Sequence, residues 1–158
     1  MVMAICYVAA LCAANFSVYF FGPSWTPANA FLLIGLDMFL RDRMHERHGI
    51  LAASALTALA SLISYFFNPA ISAIAIASSV SFGIANFGDS VAYQLLRRKK
   101  FAVKANGSNL VGAAIDSTLF PLLAFGVFMP EISALQFLAK VSGGYAWSVV
   151  FTKGAKFA

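Results

Sequence analysis

Four ionisable residues, Asp37, Asp89, Asp116 and Lys140, lie within or at the edge of long apolar runs. A charge held near the centre of a bilayer costs several kcal/mol, so each must face a partner or a polar cavity. Carboxylates accept hydrogen bonds from N–H and amino groups, an ammonium donates them, and Asn and Gln do both. Asn86, Asn109 and Gln136 fall on the same helical stripes as these charges, and Tyr93, Trp147 and Phe120 add aromatic faces for stacking. Such a set suits recognition of a planar, uncharged heterocycle rather than bond-breaking chemistry. No His-Glu-x-x-His stretch is present, and His45 and His48 both lie in a polar gap, away from any serine in an apolar run. The expectation is a binding site for a nucleobase-like solute, with no catalytic residue, no metal and no cofactor.

Depth follows from a rise of about 1.5 Å per helical residue. Asp116 lies roughly 18 Å along its helix from Lys104, and Lys140 roughly 20 Å from Lys153. Both therefore sit near mid-membrane on consecutive antiparallel helices. They either neutralise each other and fix helix register, or grip a solute. Asp89 lies roughly 12 Å inside Arg97. Asp37 is one turn from Arg41, and an intrahelical pair with it is the simpler reading. The stripes that carry these groups are Ser79, Gly83, Asn86, Asp89 and Tyr93 on one helix, Asn109, Gly112, Asp116 and Phe120 on the next, and Gln136, Lys140, Gly143/Gly144 and Trp147 on the last.

The elements that must hold them are apolar runs over residues 1–21, 27–40, 49–67, 70–96, 107–129 and 132–152. A crossing helix needs about 20 such residues. Hydrophobic residues make up 61% of the chain and charged ones 11%, against roughly 25% charged in soluble domains, so a bilayer must cover the surplus. The expected fold is an all-α integral membrane protein of six transmembrane helices, forming one polytopic domain. The gaps Gly22 to Thr26, Asn68–Pro69 and Pro130–Glu131 carry no Lys or Arg. The alternate gaps hold Arg41, Arg43 and Arg47, then Arg97, Arg98, Lys99, Lys100 and Lys104, and the tail holds Lys153 and Lys156. Basic loops stay on the cytoplasmic side, so both termini are expected there. The net charge of +5 is accordingly read as topogenic, facing anionic lipid and not nucleic acid.

Smaller signals complete this reading. The first run has no basic residues ahead of it and is read as a retained span, not a cleaved signal. Cys6 and Cys12 lie on different faces of one helix and cannot pair with each other. The polar stretch after Leu40 is expected to continue as a helix, with Asp42, Glu46, Arg43 and Arg47 interleaving. Small residues every fourth position (Ala53, Thr57 and Ser61, then Ala73, Ala77, Ser81 and Ala85) allow close helix approach. Asn68–Pro69 is expected to form a tight hairpin, and the long fourth run to tilt or bend near Gly83.

The stretch from Ser79 to Phe125 resembles the paired fourth and fifth spans of the queuosine precursor transporter family, also called the vitamin uptake transporter family. The pieces that carry the likeness are Asp89-Ser90, Leu95-Leu96-Arg97-Arg98, Ser108-Asn109 and Ile115-Asp116-Ser117 with Phe120. Gly35-Leu36-Asp37 with Arg41-Asp42 and His45-Glu46-Arg47 is similar to that family's second helix, and Lys140 sits where its last helix carries a Lys. The short length resembles compact versions found in phages. The resemblance implies import of a 7-deazaguanine, such as 7-cyano-7-deazaguanine, across a bacterial cytoplasmic membrane. No phosphate-cradling Gly-Lys-Ser/Thr loop is present, so energy is expected from a gradient or a separate ATPase partner. The alternatives are a substrate-binding membrane subunit of an energy-coupled vitamin or nucleobase uptake system, or a non-transporting phage membrane accessory protein whose polar residues only glue helices together. Beside the solute and the lipid bilayer, the candidate partners are an energy-coupling protein or further copies of the chain as a homo-oligomer.

Overall fold

Glycine and proline set the breaks between the helices. In the computed structural model, which describes residues 2–67, 71–99 and 101–154, Gly22, Gly49 and Gly126 adopt φ values of 73°, 82° and 72°. Only glycine takes this left-handed geometry without a Cβ penalty, so helices end there. Side chains are described except at 42, 45–47, 50, 53, 54, 61, 67, 90, 93, 101–106 and 152–154. The expected hairpin at Asn68–Pro69, the side chains of Ala53 and Ser61, and the Asp42/Glu46/Arg47 interleaving lie outside the described residues.

Helix α1 spans Val2–Phe21, followed by a 3-10 turn at Pro23–Trp25. Three segments then run on as one rod: α2 (Thr26–Asn29), a π-helical turn (Ala30–Ile34) and α3 (Gly35–His48). The polar stretch after Leu40 is therefore helical through His48. Helix α4 spans Ile50–Phe67, α5 Ser72–Leu95, α6 Phe101–Phe125 and α7 Pro130–Gly154. Gly126 closes α6 by donating its N–H to the Leu122 carbonyl at 2.9 Å. Pro121, buried in the interior of α6, removes one backbone hydrogen bond within two turns of Asp116.

Contacts fix the direction of each rod. Tyr7 shares a hydrogen bond with Thr57, and Asn15 donates to Ser64, so α1 and α4 run parallel. Gln136 reaches Thr26 and Phe151 stacks on Phe39, so α7 runs parallel to the α2–α3 rod. Arg41 reaches Asn86, while Asp37 and Ser78 line one cavity, so α5 follows the same direction. The Ser81–Asp116 hydrogen bond and the approach of Gly107 to Leu96 make α5 and α6 antiparallel. Six rods thus alternate in direction along the chain.

Small residues set the closest approaches. Ala77, Ser81 and Ala85 are buried on α5, as their spacing predicts, whereas Ala73 is exposed. A Cβ on Gly112 would lie 3.3 Å from Asp89 Cβ. On the other side, a Cβ on Gly35 would meet the Gly143 carbonyl carbon at 2.7 Å. Backbones this close are typical of helix packing in lipid.

Outward faces are apolar all round. Leu51, Phe66, Phe87, Leu95, Leu138 and Val150 are largely exposed, a coat that water would not tolerate. Among the described residues two helices, Val2–Phe21 and Gly107–Phe125, are long and apolar enough to cross a membrane, and Ala55–Phe66 is a shorter apolar helix. Helices α5 and α7 dilute their apolarity with polar inward faces, which is where the candidate site lies.

Candidate functional site

Lys140 is 2% exposed, midway along α7, and its Nζ lies 2.7 Å from Asp116 Oδ2 on α6. The depths reckoned along the two helices place these groups level, and the structure joins them. Ser81 on α5 donates to the other carboxylate oxygen, Asp116 Oδ1, at 2.7 Å. Lys140 also approaches Gln136 Oε1 at 3.5 Å, one turn earlier on α7. Gln136 Nε2 donates to Thr26 Oγ1 at 2.8 Å, and Thr26 donates to the Pro23 carbonyl at 2.6 Å. A chain of hydrogen bonds therefore runs from the centre of the bundle to the turn after α1. Charge-assisted bonds of this length are the strong kind, and they are needed here to offset the desolvation of two ions.

Two cavities flank this pair. The first, about 30 Å³, is lined on α1 by Asn15 and Val18, on the rod by Thr26, Asn29 and Asp37, and by Gln136 from α7. The second, about 20 Å³, is bounded by Arg41, Asp89, Asn109 and Gly112. Ile34, Phe82, Asp116 and Lys140 border both. The ion pair and the Phe82 ring thus form a partition between two small chambers of mixed polar and apolar lining. Each chamber has room for a water molecule or two, far below the roughly 300–1,000 Å³ of an open ligand pocket. This is a closed packing, and a planar base enters only if the rods separate.

The residues anticipated from the sequence are distributed unequally around the partition. Asp116 and Lys140 border both chambers, Asp37 and Gln136 the first, and Asp89 and Asn109 the second. Asp37 is fully buried. Asp89 Oδ1 is buried without a hydrogen-bond partner among the described residues. Asn86 lies at the edge, where its Oδ1 accepts from Arg41 at 2.7 Å, and the same guanidinium sits 5.5 Å from the centroid of the Phe82 ring. Trp147 borders neither chamber; its indole donates to the Leu32 carbonyl at 3.0 Å, in the seam between α7 and the rod. The Tyr93 side chain lies outside the described residues. Phe120 lines the first chamber.

Several lining residues escaped the sequence reading. Asn15, Thr26, Asn29, Ser81 and Phe82 have no charge and sit in stretches that look like ordinary span or turn. Asn15 and Asn29 carried one usable signal, an amide inside or beside an apolar run. On α5 the interior face is Ser78, Ser81, Phe82, Ala85 and Asp89, about a quarter turn from the anticipated Ser79–Gly83–Asn86 stripe, and Gly83 faces open space.

An ion pair bordering small internal cavities, inside helices clad in apolar side chains, fits a membrane carrier. Residues 1–153 match the family described as "Putative vitamin uptake transporter". The chain belongs to this family. It is a membrane protein of an uptake transporter family, whose members have a small-molecule substrate and a lipid bilayer as their surroundings. No curated protein and no solved structure matches it significantly. Among the described residues no cluster of His, Cys, Asp and Glu could hold a metal ion.

Proposed function

We propose that this chain imports a 7-deazaguanine base, such as 7-cyano-7-deazaguanine, across the bacterial cytoplasmic membrane through the interior bounded by Asp116 and Lys140. The observation that carries this reading is the ion pair itself. Two ions at the centre of a membrane protein are costly unless something uses them. Here they border a small cavity on each side, and those cavities also carry Asp37 and Gln136 on one side and Asp89 and Asn109 on the other.

In this mechanism all six rods cross the bilayer, with both termini cytoplasmic, as the alternation of basic gaps supports. The base is bound near mid-membrane. Asp116 and Asp89 accept hydrogen bonds from its N–H and amino groups, Asn109 and Gln136 read its mixed edges, and Phe82 or Phe120 stacks on the ring. Asn86 and Arg41 hold the Phe82 side of the site, Asp37 borders the first chamber, and Trp147 and Tyr93 contribute from the flanks. Lys140 neutralises Asp116 until the base takes over one of its hydrogen bonds. The partition then yields, and the chambers open in turn to the two sides of the membrane, as expected for alternating access. The protein performs no covalent chemistry on its cargo.

The test is complementation. The chain is expressed in a bacterium lacking both precursor synthesis and its own importer, 7-cyano-7-deazaguanine is added, and queuosine in tRNA is scored. Restored queuosine supports the reading, and none at normal membrane levels refutes it. Asp116→Asn should abolish restoration while leaving the amount inserted in the membrane unchanged. Uptake by the purified chain alone in liposomes would also exclude dependence on a separate ATPase partner.

A further inference from the structure

Asn29 ends α2, where the rod passes into the π-helical turn Ala30–Ile34. Its side chain is 5% exposed and lines the first chamber. Nδ2 donates to the Ala14 carbonyl of α1 at 3.2 Å, an oxygen that also accepts from the Ser17 hydroxyl at 2.8 Å. That contact fixes the amide: turned over, it would set one oxygen against another. The acceptor Oδ1 is left buried, with no hydrogen-bond partner among the described residues. A buried acceptor is unfavourable unless a donor reaches it at some stage of the protein's work.

The surroundings hold this acceptor in place. Single π turns within α-helices occur frequently at functional sites. This one is clamped from α7: Trp147 donates to the Leu32 carbonyl, and Gly143 lets α7 lie directly against the Phe31 backbone. Asp37 lines the same chamber eight residues further along the rod, so two acceptors lie roughly 12 Å apart along its axis. Phe82 and Phe120 line the same chamber, beside the polar Asn15, Gln136 and Lys140. A solute that parted the rods here would meet the Asn29 acceptor beside aromatic faces, which suits a flat ring bearing an N–H donor.

We propose that Asn29 is a specificity-determining residue whose Oδ1 accepts a hydrogen bond from one N–H of the transported heterocycle, an assignment that rests on the transport reading above. In the complementing strain, initial uptake of labelled 7-cyano-7-deazaguanine is competed with 7-deazaguanine. It is also competed with three analogues that each lack one donor: the 1-methyl and 9-methyl derivatives, and 7-deazahypoxanthine, which has no amino group. The wild type should disfavour the analogue missing the Asn29-bound donor by about tenfold, the worth of one neutral hydrogen bond. In Asn29→Leu and Asn29→Ser that ratio should fall towards one, while discrimination against the other two analogues persists. Asn29→Ser keeps a hydroxyl that can donate to Ala14, so it answers the question should Asn29→Leu fail to reach the membrane. Unchanged ratios for all three analogues in an inserted variant would make Asn29 a purely structural residue. Absence of labelled 7-cyano-7-deazaguanine uptake by the wild type would instead overturn the transport reading, and this assignment with it.

Discussion

The seam between α1 and α4 and the interior between α6 and α7 are both polar contacts inside apolar helices, yet they are built to opposite ends. Along the seam neutral groups meet neutral groups: Tyr7 with Thr57 at 2.7 Å, Cys12 with the Ala60 carbonyl at 3.5 Å, Asn15 with Ser64 at 3.2 Å. Ser64 passes its own proton on to the Ala60 carbonyl at 2.9 Å. Apolar Leu11, Leu40 and Ala60 pack around it. Between α6 and α7 the contact is ionic and borders a small cavity of mixed lining on each side. In lipid, hydrogen bonding between helices is worth little more than it is in water, because alternative partners exist in the unfolded state as well. Neutral pairs therefore serve as modest glue. An ion pair costs more to bury than a neutral pair, and this one borders a cavity on each side.

Breaking the ion pair from one side should give the largest effect. Lys140→Met leaves Asp116 buried without its counter-ion, which should cost about 3–5 kcal/mol of stability. The double variant Asp116→Leu with Lys140→Met should recover most of that loss while remaining inactive in uptake. Thermal unfolding in detergent, read beside complementation, separates the two. A double variant that transports normally would reduce the pair to a register device and erase the contrast with the seam.

Gly143→Leu should follow in size. A side chain there collides with the Phe31 backbone. Overpacking of this kind costs about 1–3 kcal/mol, and here it also displaces the π turn that carries the chamber wall. Uptake should drop at least several-fold, with Trp147 fluorescence shifting as its bond to Leu32 lengthens. Unchanged fluorescence with lost uptake would place the damage elsewhere. Tyr7→Phe, in the seam, should have the smallest effect: about 0.6 kcal/mol of stability, the average for such bonds between membrane helices, and uptake equal to wild type. A larger loss of uptake than of stability would show that the seam moves during transport.

How much of this could be read before folding depended on charge. Asp116 and Lys140 announced themselves, because ions in apolar runs are rare and their depth follows from helical rise alone. The charged end of the second run was legible as helix, since Arg43 and Glu46, three apart, bring base and acid together on one helical face. Thr26 was not legible, because Gly22-Pro23-Ser24-Trp25-Thr26-Pro27 reads as a turn, and nothing in it says that the rod starting there leans against α1 and α7; Asn29 carried only the weak signal of an amide near the start of an apolar run. The orientation of α5 was off by a fraction of a turn, since small and polar residues sit on two adjacent faces and periodicity alone does not choose between them. Trp147 reads as a stacking partner, but a π turn exposes a carbonyl, and the indole goes to it.

The near-filled interior has a mechanical consequence. With only about 30 Å³ on one side of the partition and 20 Å³ on the other, any cargo of molecular size must wedge the rods apart and shoulder aside the acyl chains around them. On the proposed route the surrounding lipid is a working part of the carrier: stiff, ordered chains would resist each stroke, and fluid ones would yield to it.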